Sequence, residues 1–239
     1  MKKLIILYIA IICLMASGCA ELYNMIPSST PQTGGLTTEE IVRGLKEALN
    51  VGAANSVSSA SAVNGFYGNP QIFIPFPPEA IKIKNTLEKA GFSNLTKDFE
   101  KSINNAAEEA SKKALPIFKN AIVNITITDA MGILQGSNNA ATMYLKTKTE
   151  ADLKAEFMPV VKVAIQKTDV TSHWNPIATT YNKLAVLSGG TQVNPNLEDY
   201  ITQKSLDGLF LLIANEEQEI RQNPAARVTD ILRRVFGAK

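Results

Sequence analysis

The sequence predicts an all-α protein, a single-domain multi-helix bundle with a short extended Pro-rich segment near residues 70–78. Three observations predict it. Apolar residues recur at three-and-four spacing through most of the chain after residue 37, helix start and stop signals punctuate that pattern, and strand-like alternation is confined to a few residues around Ile72 and Val123 to Thr126. With 45% hydrophobic and 19% charged residues the body is predicted to be globular and large enough to bury one sizeable core. No internal repeat stands at any solenoid period.

Ahead of the bundle, residues 1–18 have the zones of a lipoprotein signal peptide: Lys2 and Lys3, the apolar run Leu4 to Met15, then Ala16, Ser17 and Gly18 before Cys19. The apolar run is short for a membrane span. The expectation is cleavage before Cys19 and a diacylglyceryl group, with acyl chains such as palmitate, on its thiol. Of the two cysteines, Cys13 lies in the segment to be removed, so the mature chain is expected to hold no disulfide and no free thiol. Residues 19–36 are rich in Pro, Ser, Thr and Gly and read as a lipidated flexible tether, spanning roughly 20 to 25 Å as a coil. The helical domain then covers 37–239.

Thr37 with Glu40 makes a capping box ahead of Ile41, Leu45 and Leu49, which predicts a helix to about residue 62, with Gly65 as its stop. Gln71 to Pro78 must be extended, because each proline disfavours helix in the residue before it. Pro78 suits the start of a second helix, ending at Gly91. Asn94 caps a long helix to about Asn124, with the mostly small inward stripe Phe99, Ile103, Ala106, Ala107, Ala110, Ala114, Ile117 and Ala121. Small side chains let a neighbour approach, so this helix is expected to be central; Pro116 predicts a kink or break near Lys112. Helices follow over roughly 128–135, stopped by Gly136, then 138–146, and 150–168 behind the box Thr149 to Asp152. The last are expected over 172–184, 196–222 and 224–236, with Asn223-Pro224 as a restart signal and a loop from Leu187 to Pro195.

Charge and residue usage exclude several classes of function. Without Lys2 and Lys3, the 24 basic residues fall to 22, equal to the 22 acidic ones, so no global field favours nucleic acid. With one histidine and no cysteine beyond Cys19, thiol catalysis and His- or Cys-rich zinc sites are excluded. His173, within Ser172-His173-Trp174-Asn175, has no nucleophile elbow around it and reads as a structural or surface histidine. Gly34-Gly35 and Gly189-Gly190 sit in polar loops without the strand and helix of a phosphate site. The sequons at Asn94 and Asn124 are chance matches in a bacterial chain.

Several stretches together carry a resemblance: TTEEIVRGLKEAL from Thr37, NPQIFIPFPPE from Asn69, NNAAEEA from Asn104, TDAMGILQG from Thr128, AATMYLKTKT from Ala140, and SLDGLFLLIANEEQEIRQNPAARVTDILRRVFG from Ser205. The chain resembles the bacterial domain-of-unknown-function family 4197 over nearly everything after the tether, with Val228 where that family tends to have threonine. The resemblance implies a helical body behind an export signal and brings no reaction, ligand or catalytic residue.

What remains is carboxylate chemistry. At 100° per residue, Leu206, Leu209, Phe210, Ile213 and Ile220 share an arc roughly 100° wide, and Glu217 falls inside it with Glu216 beside it. A carboxylate aimed at the core needs a partner or must be protonated. Arg221, one turn on, and Arg227, beyond the turn, are the candidate ion-pair partners. The structural reading is a buried ion-pair clamp fixing the last two helices. The functional alternative is a carboxylate cluster of Glu216, Glu217, Asp207 and Asp129 facing a ligand or cation, with the metal, if any, unassigned. Glu108 and Glu109 fall opposite and beside the alanine stripe and are expected to be solvated. The last helix sets Val228, Ile231, Leu232, Val235 and Phe236 on one side and Arg227, Arg233, Arg234 and Lys239 elsewhere; core docking is the stronger reading, anionic lipid the weaker.

No catalytic residue and no cofactor is therefore assigned. The expected protein is a lipoprotein on the periplasmic side of the envelope of a diderm bacterium, held to the membrane through lipid on Cys19. The outer membrane is expected because Ala20 is not the aspartate associated with inner-membrane retention. Its expected role is non-catalytic, binding an envelope protein partner or supporting envelope structure. A small-ligand or divalent-cation binder is the alternative, and a two-carboxylate glycan hydrolase a distant third.

Overall fold

The computed structural model describes residues 37–166 apart from 90 and 92, positions 174, 179, 182, 183, 185–187 and 192, and 197–237 apart from 228. Cys19 and the tether, His173, most of the segments predicted as helix 172–184 and loop 187–195, and Val228 lie outside the described residues. Those described are all-α, with no strand among them.

Helix α1 (Thr38–Ser61) starts at the predicted capping box: Thr37 Oγ1 accepts from Glu40 N, and Glu40 Oε2 accepts from Thr37 N. It ends at Ala62, and a turn follows in which Asn64 has φ 60°. Residue 65 must be glycine for steric reasons, since a Cβ there would stand 2.3 Å from Ser59 O. Residues 73–77 then run as the irregular strap that the prolines demand. Ile72, in the turn just before it, and Ile74 and Phe76 within it are buried in the core, at a two-residue period. Pro78–Ala80 makes a 3₁₀ turn leading into α2 (Ile81–Lys89), and Gly91 leaves it with φ 90°, a conformation glycine adopts at little cost.

The predicted long helix is two, α3 (Ser93–Ser111) and α4 (Ala114–Val123). Pro116 sits in the first turn of α4, where its ring no longer opposes a helical carbonyl at Lys112. The break also re-phases the stripe. Before it, Phe99, Ile103, Ala106, Ala107 and Ala110 are buried as expected; after it, Phe118 and Ile122 are buried, while the predicted Ile117 and Ala121 are only half-buried. Helix α5 (Ile127–Gln135) starts at a capping box of Thr126 and Asp129 and stops at Gly136.

The two predicted helices over 138–146 and 150–168 are a single one, α6 (Ala140–Gln166). Thr149 caps nothing. It is buried, with its hydroxyl donating to Leu145 O one turn back, and Leu145, Thr149, Leu153, Phe157, Val161 and Ile165 form one unbroken buried row at i, i+4 spacing. Helix α7 (Leu197–Gln222) follows. The predicted helix 224–236 is a 3₁₀ turn, Pro224–Ala226, and a short α8 (Asp230–Gly237). Arg227 explains the break: its guanidinium folds back onto the C-terminal carbonyls of α7, Nε to Ile220 O (3.1 Å) and Nη2 to Arg221 O (3.0 Å).

Helices α6 and α7 pack most extensively on each other, with α3 against α6 and α1 against α7. One continuous core runs through all four, from Leu45 on α1 to Ile213 on α7. Helices α4 and α5 close one side against α1 and α6, and α8 lies mainly on α1. The Trp174 side chain is buried in the same core.

Candidate functional site

Glu217 is 8% exposed on the inward face of α7, where the helical phase places it. Its Oε1 accepts from Ala141 N (3.0 Å) and its Oε2 from Thr142 N (2.8 Å) and Thr142 Oγ1 (2.7 Å). Those amides belong to the first turn of α6, whose N–H groups have no partner inside their own helix. A side chain 75 residues away thus caps α6, and its negative charge meets the positive end of that helix. Arg221 completes the arrangement. Its Nε (3.0 Å) and Nη2 (2.8 Å) hold Glu217 Oε1, and the same Nη2 reaches Ile133 O (3.0 Å) among the last carbonyls of α5.

The pair therefore joins the end of α5 to the start of α6 at the corner around Gly136. This corrects the expectation that it fixes the last two helices. The phase of α7 showed that Glu217 points inward and that Arg221 is in reach; which backbone ends they would meet was not readable from local sequence. Arg227 does not pair with Glu217 but caps α7, as described above.

The other three candidate carboxylates share none of its partners; each has its own. Glu216 accepts from Asn55 Nδ2 (2.9 Å) across the α1–α7 contact. Asp207 is exposed and accepts from Gln203 Nε2 (3.1 Å) on its own helix. Asp129 serves the α5 capping box, accepting from Thr126 Oγ1 (2.7 Å) and Thr126 N (3.0 Å). Those hydrogen bonds, the side-chain one first, hold its carboxyl below the usual aspartate range, helped by the charge of Lys148 and the hydroxyl of Tyr144. Burial, then the charge of Asp129, raises the Tyr144 phenol, which stays protonated as donor.

Among the described residues no group of three or more His, Cys, Asp or Glu is placed to hold a metal ion. A crevice of about 20 Å³ touches Glu217 and Arg221 between α1, α7 and α8, with Leu49, Gly52 and Phe236 in its walls. That is room for about one water. Wider hollows beside Met158 on α6 and beside Arg43 on α1 contain none of the four carboxylates.

Glu108 was expected in solvent and is buried, 7% exposed. Its Oε1 accepts from Phe66 N (3.1 Å) and Tyr67 N (3.3 Å). One turn earlier Asn104 holds the strap as a neighbouring strand would, Oδ1 accepting from Ile74 N (2.8 Å) and Nδ2 donating to Ile74 O (2.9 Å). Helix α3 is thus covered on two faces, the alanine stripe by helices and the Asn104/Glu108 face by non-helical backbone. The stripe alone hid this second face; the signal for it was the polar pair at i, i+4 in a helix expected to be central. Glu109 is exposed and pairs with Lys112 (2.6 Å).

The fold and these contacts define an all-helical protein whose buried acidic groups terminate helices and fasten a loop. A family model described as "Protein of unknown function (DUF4197)" matches residues 35–237, and the chain belongs to that family. Comparison with curated proteins and with solved structures found no match.

Proposed function

We propose that the protein is a lipoprotein anchored through lipid on Cys19 to the periplasmic side of a diderm cell envelope, at the outer membrane, and that its helical body is a non-catalytic partner-binding or envelope-structural unit. The anchor rests on the run from Lys2 to Cys19 and on the lack of any later cysteine. The observation that carries the non-catalytic part is the saturation of Glu217: with two amides, one hydroxyl and a guanidinium on its oxygens, it has no lone pair directed at a substrate. No described helix is long and apolar enough to cross a membrane by itself.

The test of the anchor is fractionation with palmitate labelling. Wild-type protein is expected in the membrane fraction and labelled; Cys19→Ala is expected in the soluble fraction and unlabelled, and a membrane-bound, labelled variant would sink the reading. The small-ligand or divalent-cation alternative needs Glu216, Glu217, Asp207 and Asp129 to converge, and their separate partners disfavour it. A Tm that rises with millimolar divalent cation in wild type but not in Glu216→Gln would restore it.

A further inference from the structure

Two exposed aliphatic side chains stand at one corner of the bundle, where the helix line bends by 105° between α4 and α5. Val123, the last residue of α4, is 68% exposed, and Ile127, the first of α5, is 54% exposed. Ile125 between them is buried and pins the corner to the core, while Asn124, Thr126 and Thr128 face outward. The backbone is fixed on both sides of the bend. Lys46 Nζ donates to Val123 O (2.7 Å), Asn124 Nδ2 to Asn120 O (2.9 Å), and the box of Thr126 and Asp129 starts α5. A surface that is already ordered loses little conformational freedom when it is covered.

The corner leans on the first turns of α1, where Glu39, Val42, Arg43, Lys46, Glu47 and Asn50 line a hollow beside Ile127. Lys119, one turn before Val123, Asp129 of α5 and Lys148 of α6, whose charge acts on Asp129, complete the charged surroundings. Arg43, Lys46, Lys119 and Lys148 thus stand against Glu39, Glu47 and Asp129, while Glu40 and Arg234 at the same end pair with each other. The region is close to neutral, so its charge selects neither an anionic nor a cationic partner. Its place in the chain is more telling. The tether ends where α1 begins, within two to three turns of the residues that hold the corner, and as a coil it spans roughly 20 to 25 Å. The exposed Val63 lies beyond the far end of α1, and 24 helical residues at 1.5 Å each put about 36 Å between the two.

We propose that the α4–α5 corner, with Val123 and Ile127 at its tip, dips into the interfacial layer of the bilayer that holds the lipid on Cys19. The inference rests on the anchor reading above and adds the orientation of the body, with the start of α1 towards the lipid and the Val63 turn away from it. Anchoring makes the encounter of corner and bilayer intramolecular, so a contact of two aliphatic side chains, too small to recruit a free protein, is populated at the high local concentration of a short tether. A bilayer also receives protruding aliphatic tips without a matched hollow or a complementary charge, which a protein partner would have to supply. At the depth reached by interfacial apolar faces, roughly 5 to 10 Å, Asn124, Thr126 and Thr128 stay among the headgroups. Lys119, Arg43 and Lys46 have stems long enough to keep their charges there as well.

The test uses the expected absence of any free thiol in the mature chain, which makes an introduced cysteine the sole labelling site. Val123→Cys, Ile127→Cys and, as control, Val63→Cys are made in the full-length protein, purified from membranes, labelled with bimane and reconstituted in phosphatidylcholine vesicles. A fraction of the lipid carries a nitroxide quencher at a shallow acyl carbon, and circular dichroism confirms that the variants are folded. Bimane at Val123→Cys and Ile127→Cys is expected to be quenched, and bimane at Val63→Cys is not. Adding Val123→Asp to Ile127→Cys is expected to abolish the quenching while the protein still floats with the vesicles. Floating protein with no quenching at either corner site overturns the contact alone. Quenching as strong at Val63→Cys overturns the orientation, and quenching indifferent to Val123→Asp overturns the aliphatic tip as its cause. Bimane shielded from aqueous iodide yet untouched by the nitroxide lipid makes a second copy of the chain the occupant and overturns the bilayer. Protein that does not float overturns the anchor, and the contact falls with it, so flotation and quenching separate the two failures.

Discussion

Removing Glu217 leaves the Arg221 guanidinium half-buried without its carboxylate and two amides of α6 without an acceptor. Breaking one side of a buried pair typically costs about 3 to 5 kcal/mol, most of it from the group left behind. Glu217→Ala is therefore expected to lower the urea-unfolding free energy by about 3 kcal/mol, while Glu216→Ala, which loses one hydrogen bond to exposed Asn55, costs about 1 kcal/mol or less. Equal losses would contradict the cap. Asp129 supplies a pH dependence with a definite sign. Its folded pKa is depressed, so its contribution is fully present above the unfolded value near roughly pH 4 and is lost as pH falls through the lower folded value. Asp129→Asn cannot be protonated there and is expected to flatten the acid limb of a Tm-against-pH curve; an unchanged limb would rule this out. Glu40, held low by Thr37 N–H and then by Arg234, behaves with the same sign.

At the scale of the element, charged side chains end helices other than their own. Glu217 caps α6, Arg221 caps α5, and Lys46 of α1 donates to Val123 O at the end of α4 (2.7 Å). The Glu40 carboxylate divides itself between its own capping box and Arg234 of α8 (2.8 Å). Helix α6 has an internal flaw, since Pro159 gives Ala155 O no N–H partner and stands on the exposed side. Pro159→Ala is expected to stabilise by about 1 to 2 kcal/mol, the helical gain outweighing the added freedom of the unfolded chain. A lower Tm would show that the proline sets a bend the packing needs. Gly208 of α7 works in the opposite sense. A Cβ there would stand 2.9 Å from Phe66 Cε1 and 3.0 Å from Ile72 Cβ, so Gly208→Ala is expected to push the strap off α7 and cost about 1 to 3 kcal/mol despite better helix propensity. Hydrogen exchange at Ile74 should rise with it.

At the scale of the whole molecule, one core shared by α1, α3, α6 and α7 predicts a single cooperative unfolding transition. Circular dichroism and Trp174 fluorescence are expected to give coincident midpoints, and separate midpoints would mean that the α5–α6 corner or α8 melts alone. The exposed Arg234–Glu40 pair is expected to matter little to that midpoint, because surface ion pairs contribute about 0 to 1 kcal/mol.

Much of this was legible in the residues. Thr37 with Glu40, Thr126 with Asp129, Gly91, Gly136 and the prolines around the strap act over three or four positions, so their signals are complete in local sequence. The inward aim of Glu217 was readable for the same reason, because helical phase is local. The misreadings share a cause. Thr149 looks like a cap until burial on α6 lets it bond Leu145, and Glu108 looks solvated until the strap covers that face of α3. Ile117 and Ala121 carry the stripe only if Pro116 leaves the phase intact. Local sequence specified an all-α body, most of its helix ends and one of the two buried carboxylates, Glu217 but not Glu108. Tertiary structure decided which backbone ends that carboxylate and its arginine would terminate, since free amides and carbonyls at helix ends are alike in sequence and only packing brings one set within 3 Å.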